Sequence, residues 1–527
     1  MSVSVQGTGL ADNTPVSLRI AASGQIMNAT TLSHLEPLRL WPMFSIPRRV
    51  AWLALWSVVA SVEANPILDW NELLLDAIRT SSSAPTLASR NLAILHTAIY
   101  DSVNSIEQTH QPYRFQLEPP PDASSEAAVV GAGFAVSVLL YPEHRATFDG
   151  AYARYLNSTP ASAALTDGLH LGRLIGQMAV EGRSTDGSST QVPYIPSDTP
   201  GQWRRTPPFY RPPLDPHWGF VDPFCLEDID AFLPPGPPAL DSAAYAADMN
   251  QVKAWGGTTS AARTPEQSAT AKFWSDFSYT ETPPGHWMDI AASVVDSRGN
   301  ILAETARVCA LLALAQADAA IVVWRTKYHY NFWRPVTAIN QADEDGNPAT
   351  DKDETWQSFL LTPPFPEYVS GHSAFSMASA VVLKNFCGTD AVSFAVGSDA
   401  VPGVLRTYYS FTDCAHEIGM SRIYGGIHFM SANRDGKACG AKIGQFVFSN
   451  FLLPNAELPQ LAITLNASGS CSLRLHGHAG RECVLEGSSD MLAWQPVSTN
   501  QAVIGGLTIE TGNAASPTAR FFRLREQ

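Results

Sequence analysis

In the stretch PPFPEYVSGHSAFSMASAVVL, residues 363–383, a proline-rich extended segment gives way to a helix. Pro363, Pro364 and Pro366 fix φ and remove donors. Ser370 then stands where an N-cap belongs, just before the apolar period Phe375, Ala378, Val382. A helix N-terminus presents free N–H groups and a partial positive charge, and a glycine lets that backbone approach a ligand closely. Ser370 and Gly371 are therefore expected to bind an oxyanion. His372 follows at the rim, suited to acid–base work.

Upstream lies WRTKYHYNFWRPVTAI, residues 324–339. Lys327 and Arg334 are seven positions apart, which on a continuous helix is within about 20° of two full turns. Pro335 disfavours helix at Arg334, so that arginine is placed where the helix ends and a loop turns toward the pocket. Downstream lies GMSRIYGGIHFMSANRDG, residues 419–436. Arg422 and His428, six apart, would diverge by about 120° on an unbroken helix. Gly425 and Gly426 between them allow a bend that returns both side chains to one site. Singly, each of these residues reads as a solvated cation or a core histidine. Together, three cations, a capped helix and two histidines within about a hundred residues call for one anion.

The pattern K-x6-RP, then SGH, then SR-x5-H resembles the signature of the vanadium-dependent haloperoxidases and of the related type 2 phosphatidic acid phosphatases and class A bacterial acid phosphatases. LHTAIYDSVN (95–104), the W-x2-TPP and PHWG-x3-PF loop, Trp324, FPEYVSGH and SRIYGGIHF look like the secreted bacterial branch, over roughly residues 70–450. The resemblance implies a cradle of Lys327, Arg334, Ser370, Gly371 and Arg422 for vanadate, with His428 as the ligand to vanadium. It implies catalytic roles for His372, Lys327 and His428, and a halide side formed by Phe365 and Trp324. Phe365 occupies a place held by Phe in fungal chloroperoxidase-like members and by His in algal bromoperoxidases. The expected partners are hydrogen peroxide, halide and a small organic acceptor. The same pocket fits phosphate, and the alternative reading is a secreted acid phosphatase acting through a phosphohistidine at His428. One departure is Val369, where the family often has Pro.

The implied fold is mainly α, and periodicity agrees: apolar residues recur at helical spacing across 73–100, 129–140, 165–179, 242–255, 264–277 and 288–333. Residues 193–238, rich in Pro, Trp and Phe, are expected to form a long ordered loop. After Phe451 short alternating runs suggest a small β-sandwich-like domain over 462–527, following a helical-bundle catalytic domain over 65–455. His476 and His478 there are read as solvated.

At 527 residues and a formal charge of −15, the chain is an unlikely match for nucleic acid or an anionic membrane, which are bound through excess Lys and Arg. Seven cysteines without zinc-like spacing exclude a thiolate metal site. Cys471 and Cys483 could pair in an exported protein, and Cys225, Cys309, Cys387, Cys414 and Cys439 read as buried. MFSIPRRVAWLALWSVVASVEANP, from Met43, has the form of a secretory signal over 43–64, with an apolar run too short for a transmembrane anchor. Residues 1–42 then form a non-native or disordered extension, and the protein is expected outside the cytoplasm, secreted or periplasmic.

Overall fold

The computed structural model describes residues 65–455 and, beyond them, six strands between Gln460 and Glu526. The extension 1–42, the leader 43–64, the pairing of Cys471 with Cys483 and the surroundings of His476 and His478 lie outside the described residues. Thirteen α-helices are described: α1 (Pro66–Thr80), α2 (Pro85–Glu107), α3 (Ser125–Leu140), α4 (Arg145–Ser158), α5 (Ala163–Glu181), α6 (Ala243–Trp255), α7 (Pro265–Phe273), α8 (Thr282–Arg298), α9 (Leu302–Tyr330), α10 (Pro335–Asn340), α11 (Gly371–Cys387), α12 (Phe411–Tyr424) and α13 (Met430–Asn450). The chain is mainly α, as the pattern of apolar residues indicates.

The expected helical run 288–333 is two helices and a turn. Gly299, at φ +62, ends α8 and its N–H returns to Asp296 and Val295, the left-handed close that glycine tolerates best. Helix α9 is apolar nearly all round. By length and composition it could cross a membrane, yet 94% of its apolar window is buried within the protein, the mark of a core helix. It packs against α2, α8, α11 and α13.

Helices α11 and α13 approach closely because α13 carries Gly436, Gly440 and Gly444 at four-residue spacing. A Cβ on Gly440 would sit 2.1 Å from the Ala374 carbonyl oxygen, and one on Gly436 would sit 2.7 Å from that of Ser370. This contact seats the N-terminus of α11.

A strand pair, β1 (Phe394–Val396) with β2 (Arg406–Tyr408), lies inside the helical part and was not expected there. Three-residue strands are too short for an alternating pattern to stand out. Toward the C-terminus follow β3 (Gln460–Leu465), β4 (Cys471–His476), β5 (Glu482–Ser488), β6 (Gln495–Gln501), β7 (Leu507–Thr511) and β8 (Phe521–Glu526), in two antiparallel sheets ordered β3-β4-β7 and β6-β5-β8. Cys225, Cys309, Cys414 and Cys439 are buried, as read; Cys387, near the end of α11, is only partly so.

Residues 193–238 form the ordered loop, broken only by two short 3-10 turns at Trp218–Phe220 and Asp230–Phe232. Its anchor is Asp318 in mid-α9, fully buried, whose carboxylate accepts the N–H groups of Phe224, Cys225 and Leu226 at 2.7, 2.8 and 3.2 Å. Burial raises this carboxyl to about 6, and the three N–H groups and Arg183 pull the other way. Asp318→Ala leaves those donors without an acceptor, at about 1–3 kcal/mol each. A loss of at least about 3 kcal/mol in chemical denaturation is expected, and an unchanged midpoint would show that the loop is held by other means.

Candidate active site

The site is assembled from three chain reversals at the ends of α9, α11 and α12. Helix α9 ends at Asn331, in the left-handed region at φ 51. Arg334 lies beyond it in extended backbone, preceding α10. The two cations therefore do not share one helix face, as the seven-residue spacing allowed; the turn at Asn331 brings Arg334 back toward Lys327. At the end of α12, Gly425 closes the helix and Gly426, at φ +74, redirects the chain. Arg422 and His428 both face the site in consequence.

Ser370 caps α11: its Oγ accepts from Ser373 N at 3.3 Å and lies 2.8 Å from Ser373 Oγ. Ser373 Oγ has one proton, and Asn433 Oδ1, 3.0 Å away, can only accept it. Where that proton goes to Asn433, the Ser370 hydroxyl donates to Ser373 Oγ, and only the opposite arrangement leaves the Ser370 proton for a ligand. A Cβ on Gly371 would make ordinary contacts, the nearest with Phe375 at 3.6 Å, so the glycine keeps that small volume beside the helix end unfilled.

Gly371, His372, Arg422, His428, Phe365 and Trp324 line one cavity of about 120 Å³. Lys327, Arg334 and Ser370, all fully buried, stand behind them. Arg334 Nη1 lies 3.1 Å from His428 Nε2 and 2.8 Å from the Ile427 carbonyl, and its Nε donates to Phe365 O at 2.8 Å. Arg422 Nη1 donates to Trp274 O at 2.7 Å. Lys327 Nζ donates to the carbonyls of Pro366, Glu367 and Val369, which engages all three of its protons. Lys327 thus contributes charge at close range, and a direct bond to a ligand would require exchanging one carbonyl. Val369, at the place where proline is frequent, supplies that third acceptor.

Glu367, Asp276 and His286 were not singled out from sequence. Glu367 sits inside the quoted FPEYVSGH run, and its signal was a carboxylate three residues before the cap. Its Oε1 lies 2.8 Å from both His428 Nδ1 and Phe429 N. Because a guanidinium can only donate, the lone pair of His428 faces Arg334 at Nε2, and Nδ1 carries the proton toward Glu367. Asp276 Oδ2 is 3.8 Å from His372 Nε2, while Asp276 Oδ1 is 3.1 Å from His286 Nδ1. Nothing in residues 273–286 marks this pair in the sequence, since α7, the following turn and α8 must fold before they meet.

Behind Arg422, the hairpin β1–β2 acts as a brace. Tyr408 Oη, Arg406 Nη1 and Trp274 Nε1 all bond Glu417 Oε1, at 2.6, 2.9 and 3.0 Å. That fixes Trp274, whose carbonyl holds Arg422.

Burial dominates the electrostatics. It pulls Arg334 down to about 9, with Arg422 adding to the fall against Glu367, and Arg422 down to about 10, against Asp276. Lys327 falls well below its ordinary value through burial and then Arg334. His428 and His372 are both held well below 6.5, by burial and then by neighbouring cations, Arg334 first for His428 and Arg422 first for His372. Both imidazoles are therefore neutral at pH 7. Burial also raises Glu367 to about 8. Burial likewise disfavours charge on His286, but Asp276, Glu281 and Asp289 outweigh it and raise that ring to about 9.

Arg334 Nη2, Arg422 Nε and His372 Nε2 are buried without a hydrogen-bond partner. Unmatched buried polar atoms are costly, and these, two guanidinium donors and one imidazole nitrogen, belong to residues set around the cap of α11. Their number and charge suit a tetrahedral oxyanion.

Residues 307–453 match the family model described as the VCPO second helical-bundle domain. The vanadium chloroperoxidase of Curvularia inaequalis is 26% identical over 412 residues, 61% of this chain. The chain spans 65% of the length of that relative. Among solved structures, the first bacterial vanadium-dependent iodoperoxidase superposes with a TM-score of 0.65 at 29% identity, covering 74% of this chain and 97% of that one. The chain is thus similar to vanadium haloperoxidases in sequence over residues 307–453 and in fold more widely. A bacterial vanadium-dependent chloroperoxidase in its holo form shares the fold, with a TM-score of 0.57 at 16% identity over 70% of this chain and 92% of that one.

For a vanadium haloperoxidase relative, the cofactor implied is vanadate, and the unpartnered donors fit it. Arg334 and Arg422 remain charged guanidinium groups, and their unpartnered donors are expected to bind sulfate. Calorimetry measures the affinity, which Arg334→Gln should lower by roughly tenfold or more. An unchanged affinity in the variant would contradict this account of the pocket.

Proposed function

We propose that this protein is a vanadate-dependent haloperoxidase, oxidising halide with hydrogen peroxide to hypohalous acid and water: one peroxide, one halide and one proton enter for each hypohalous acid and water that leave. The observation that carries the proposal is the pair of unpartnered donors on Arg334 and Arg422, with the unpartnered Nε2 of His372 beside them, around a neutral His428 held from behind by Glu367. His428 Nε2 would be the ligand to the metal, its lone pair released from the Arg334 contact. Arg334, Arg422, the Ser370 hydroxyl and the Gly371 N–H would hold the oxygens, with Lys327 adding charge. Bound vanadium(V) supplies Lewis acidity toward peroxide without changing its own oxidation state.

His372 does the proton work. It is the more exposed of the two histidines, with 15% of its side chain accessible, and it is neutral, so its free Nε2 takes a proton from incoming peroxide. Asp276, 3.8 Å away, steadies the resulting imidazolium. The proton can then be returned to the departing water.

With orthovanadate, peroxide and bromide, the purified protein is expected to brominate a phenolic dye, and phosphate should compete with the vanadate. His428→Ala should abolish turnover, and Arg422→Ala should lower it by about 10²–10³. Efficient hydrolysis of phosphate monoesters with no halogenation after vanadate loading would establish the phosphatase reading, with His428 as nucleophile and His372 protonating the leaving alcohol.

Halide choice follows from the aromatic wall. The Phe365 ring lies 5.1 Å from that of Trp324, 5.0 Å from Lys327 Nζ and 4.8 Å from Arg334 Cζ. An apolar ring there excludes water and strengthens the field of both cations, whereas an imidazole would hydrogen-bond and moderate it. Iodide and bromide are expected to be oxidised readily and chloride detectably. Phe365→His should reduce the chloride rate by roughly tenfold while sparing bromide. Steady-state rates for both halides decide this: chloride turnover unchanged in the variant would remove Phe365 from the argument.

A further inference from the structure

Besides His372, Arg422, His428 and Asp276, the cavity is lined mostly by apolar residues, Pro85, Leu214, Leu361, Pro363 and Pro364 among them, with Ser275 and Ser278. One further cation stands among them. Arg211, on the loop 193–238, lines the same cavity as His372 and Arg422, and its Nη2 donates to the Thr362 carbonyl at 3.0 Å. Among the described residues no carboxylate lies within ion-pair distance of it, although Arg79, Arg90, Arg183 and Arg406 all have such partners. Asp215, four residues along the same loop, is engaged by the Thr86 hydroxyl.

We infer that Arg211 forms an anion-receiving position at the mouth of the cavity, where halide is collected before it reaches the site. The inference rests on the haloperoxidase reading. A partly buried guanidinium without a counter-charge carries a desolvation cost that an anion relieves, and burial does depress Arg211 below its usual range. The surrounding prolines and Leu214 select the kind of anion. A large, weakly hydrated monovalent ion loses little by leaving water for an apolar rim, and guanidinium is itself weakly hydrated. A divalent oxyanion needs several converging donors, which the floor has and the mouth lacks. In a chain of net charge −15, free halide is repelled at long range, so a cation at the entrance raises its local concentration.

The position is held rigidly. Leu214, three residues on, donates its N–H to Pro364 O at 2.9 Å, and its carbonyl accepts from Tyr328 Oη at 2.7 Å and Trp324 Nε1 at 3.3 Å. Arg211 is thereby tied to the strip 362–365 that carries Phe365.

Hydrogen peroxide is neutral and supplies the control. In vanadate-loaded enzyme, Arg211→Gln should raise KM for bromide about tenfold, leave kcat and KM for peroxide unchanged, and flatten the dependence of kcat/KM on ionic strength; Arg211→Lys should restore most of the loss. Crystals soaked in bromide should show an anomalous peak beside the Arg211 guanidinium that is absent from Arg211→Gln. A parallel rise in both KM values would mean a structural role and would overturn the inference, as would a peak unaccompanied by any change in KM for bromide, or no peak in the parent. If the loaded parent enzyme turns over no halide at all yet shows the peak, the haloperoxidase reading fails and the anion position at Arg211 stands.

Discussion

Three cations, Lys327, Arg334 and Arg422, are taken almost completely out of water here, and Glu367 and Asp276 are the carboxylates set near them. Removing a charge from water costs several kcal/mol even after relaxation. The fold meets that cost with carbonyl groups: Phe365, Pro366, Glu367, Val369, Ile427 and Trp274 all turn their oxygens onto the three side chains. Carbonyl dipoles relieve a cation without cancelling it. The result is a pocket that is positive inside an acidic protein, with donors left over for an anion.

That arrangement constrains elements far from it. The segment 365–369 must run irregularly so that its carbonyls point at α9, and irregular backbone at such depth persists only where every group finds a partner. Its far end is fixed by the capping of α11 at Ser370, and α11 is fixed by the glycine ridge of α13. The hairpin β1–β2 reaches the same centre by another route, through Glu417 and Trp274. Asp318, in mid-α9, orders the proline-rich loop, and that loop forms one side of the mouth. Packing, capping and polar satisfaction thus converge on one small volume, which is where side chains must be positioned closely for chemistry.

Much of this was legible in the chain. The N-cap at Ser370, the glycine bend between Arg422 and His428, the long ordered loop and the change from helix to strand after Phe451 all depend on local chemistry, which spacing and residue type report. What stayed hidden depends on distance. Glu367 was visible as a residue and silent as a partner, because nothing local says that Phe429 and His428 will lie above it. Asp276 meets His372 across 96 positions. The placement of Lys327 relative to Arg334 was legible only as a choice between one helix face and a turn, and Asn331, in a left-handed conformation that asparagine adopts more readily than most residues, decided it. The saturation of Lys327 by three carbonyls could not have been foreseen from a lysine in a helical run.

The two histidines show how one electrostatic field can serve opposite ends of a reaction. Both are kept neutral by burial and by the same cations, but their fixings differ. His428 is held on both nitrogens, Nδ1 by Glu367 and Nε2 by the Arg334 guanidinium, so a proton arriving at Nε2 would face Arg334 at 3.1 Å, and a ligand role there requires the Arg334 contact to be given up. The arrangement opposes a base. His372 has an unpartnered Nε2, partial exposure and a carboxylate just beyond hydrogen-bonding distance. A proton gained there moves the ring toward Asp276, and the cations that disfavour it in the free site disfavour it less once an anion offsets them. On the haloperoxidase reading, His372 would therefore be a better base when the pocket is filled, which would tie proton transfer to the presence of the bound oxyanion.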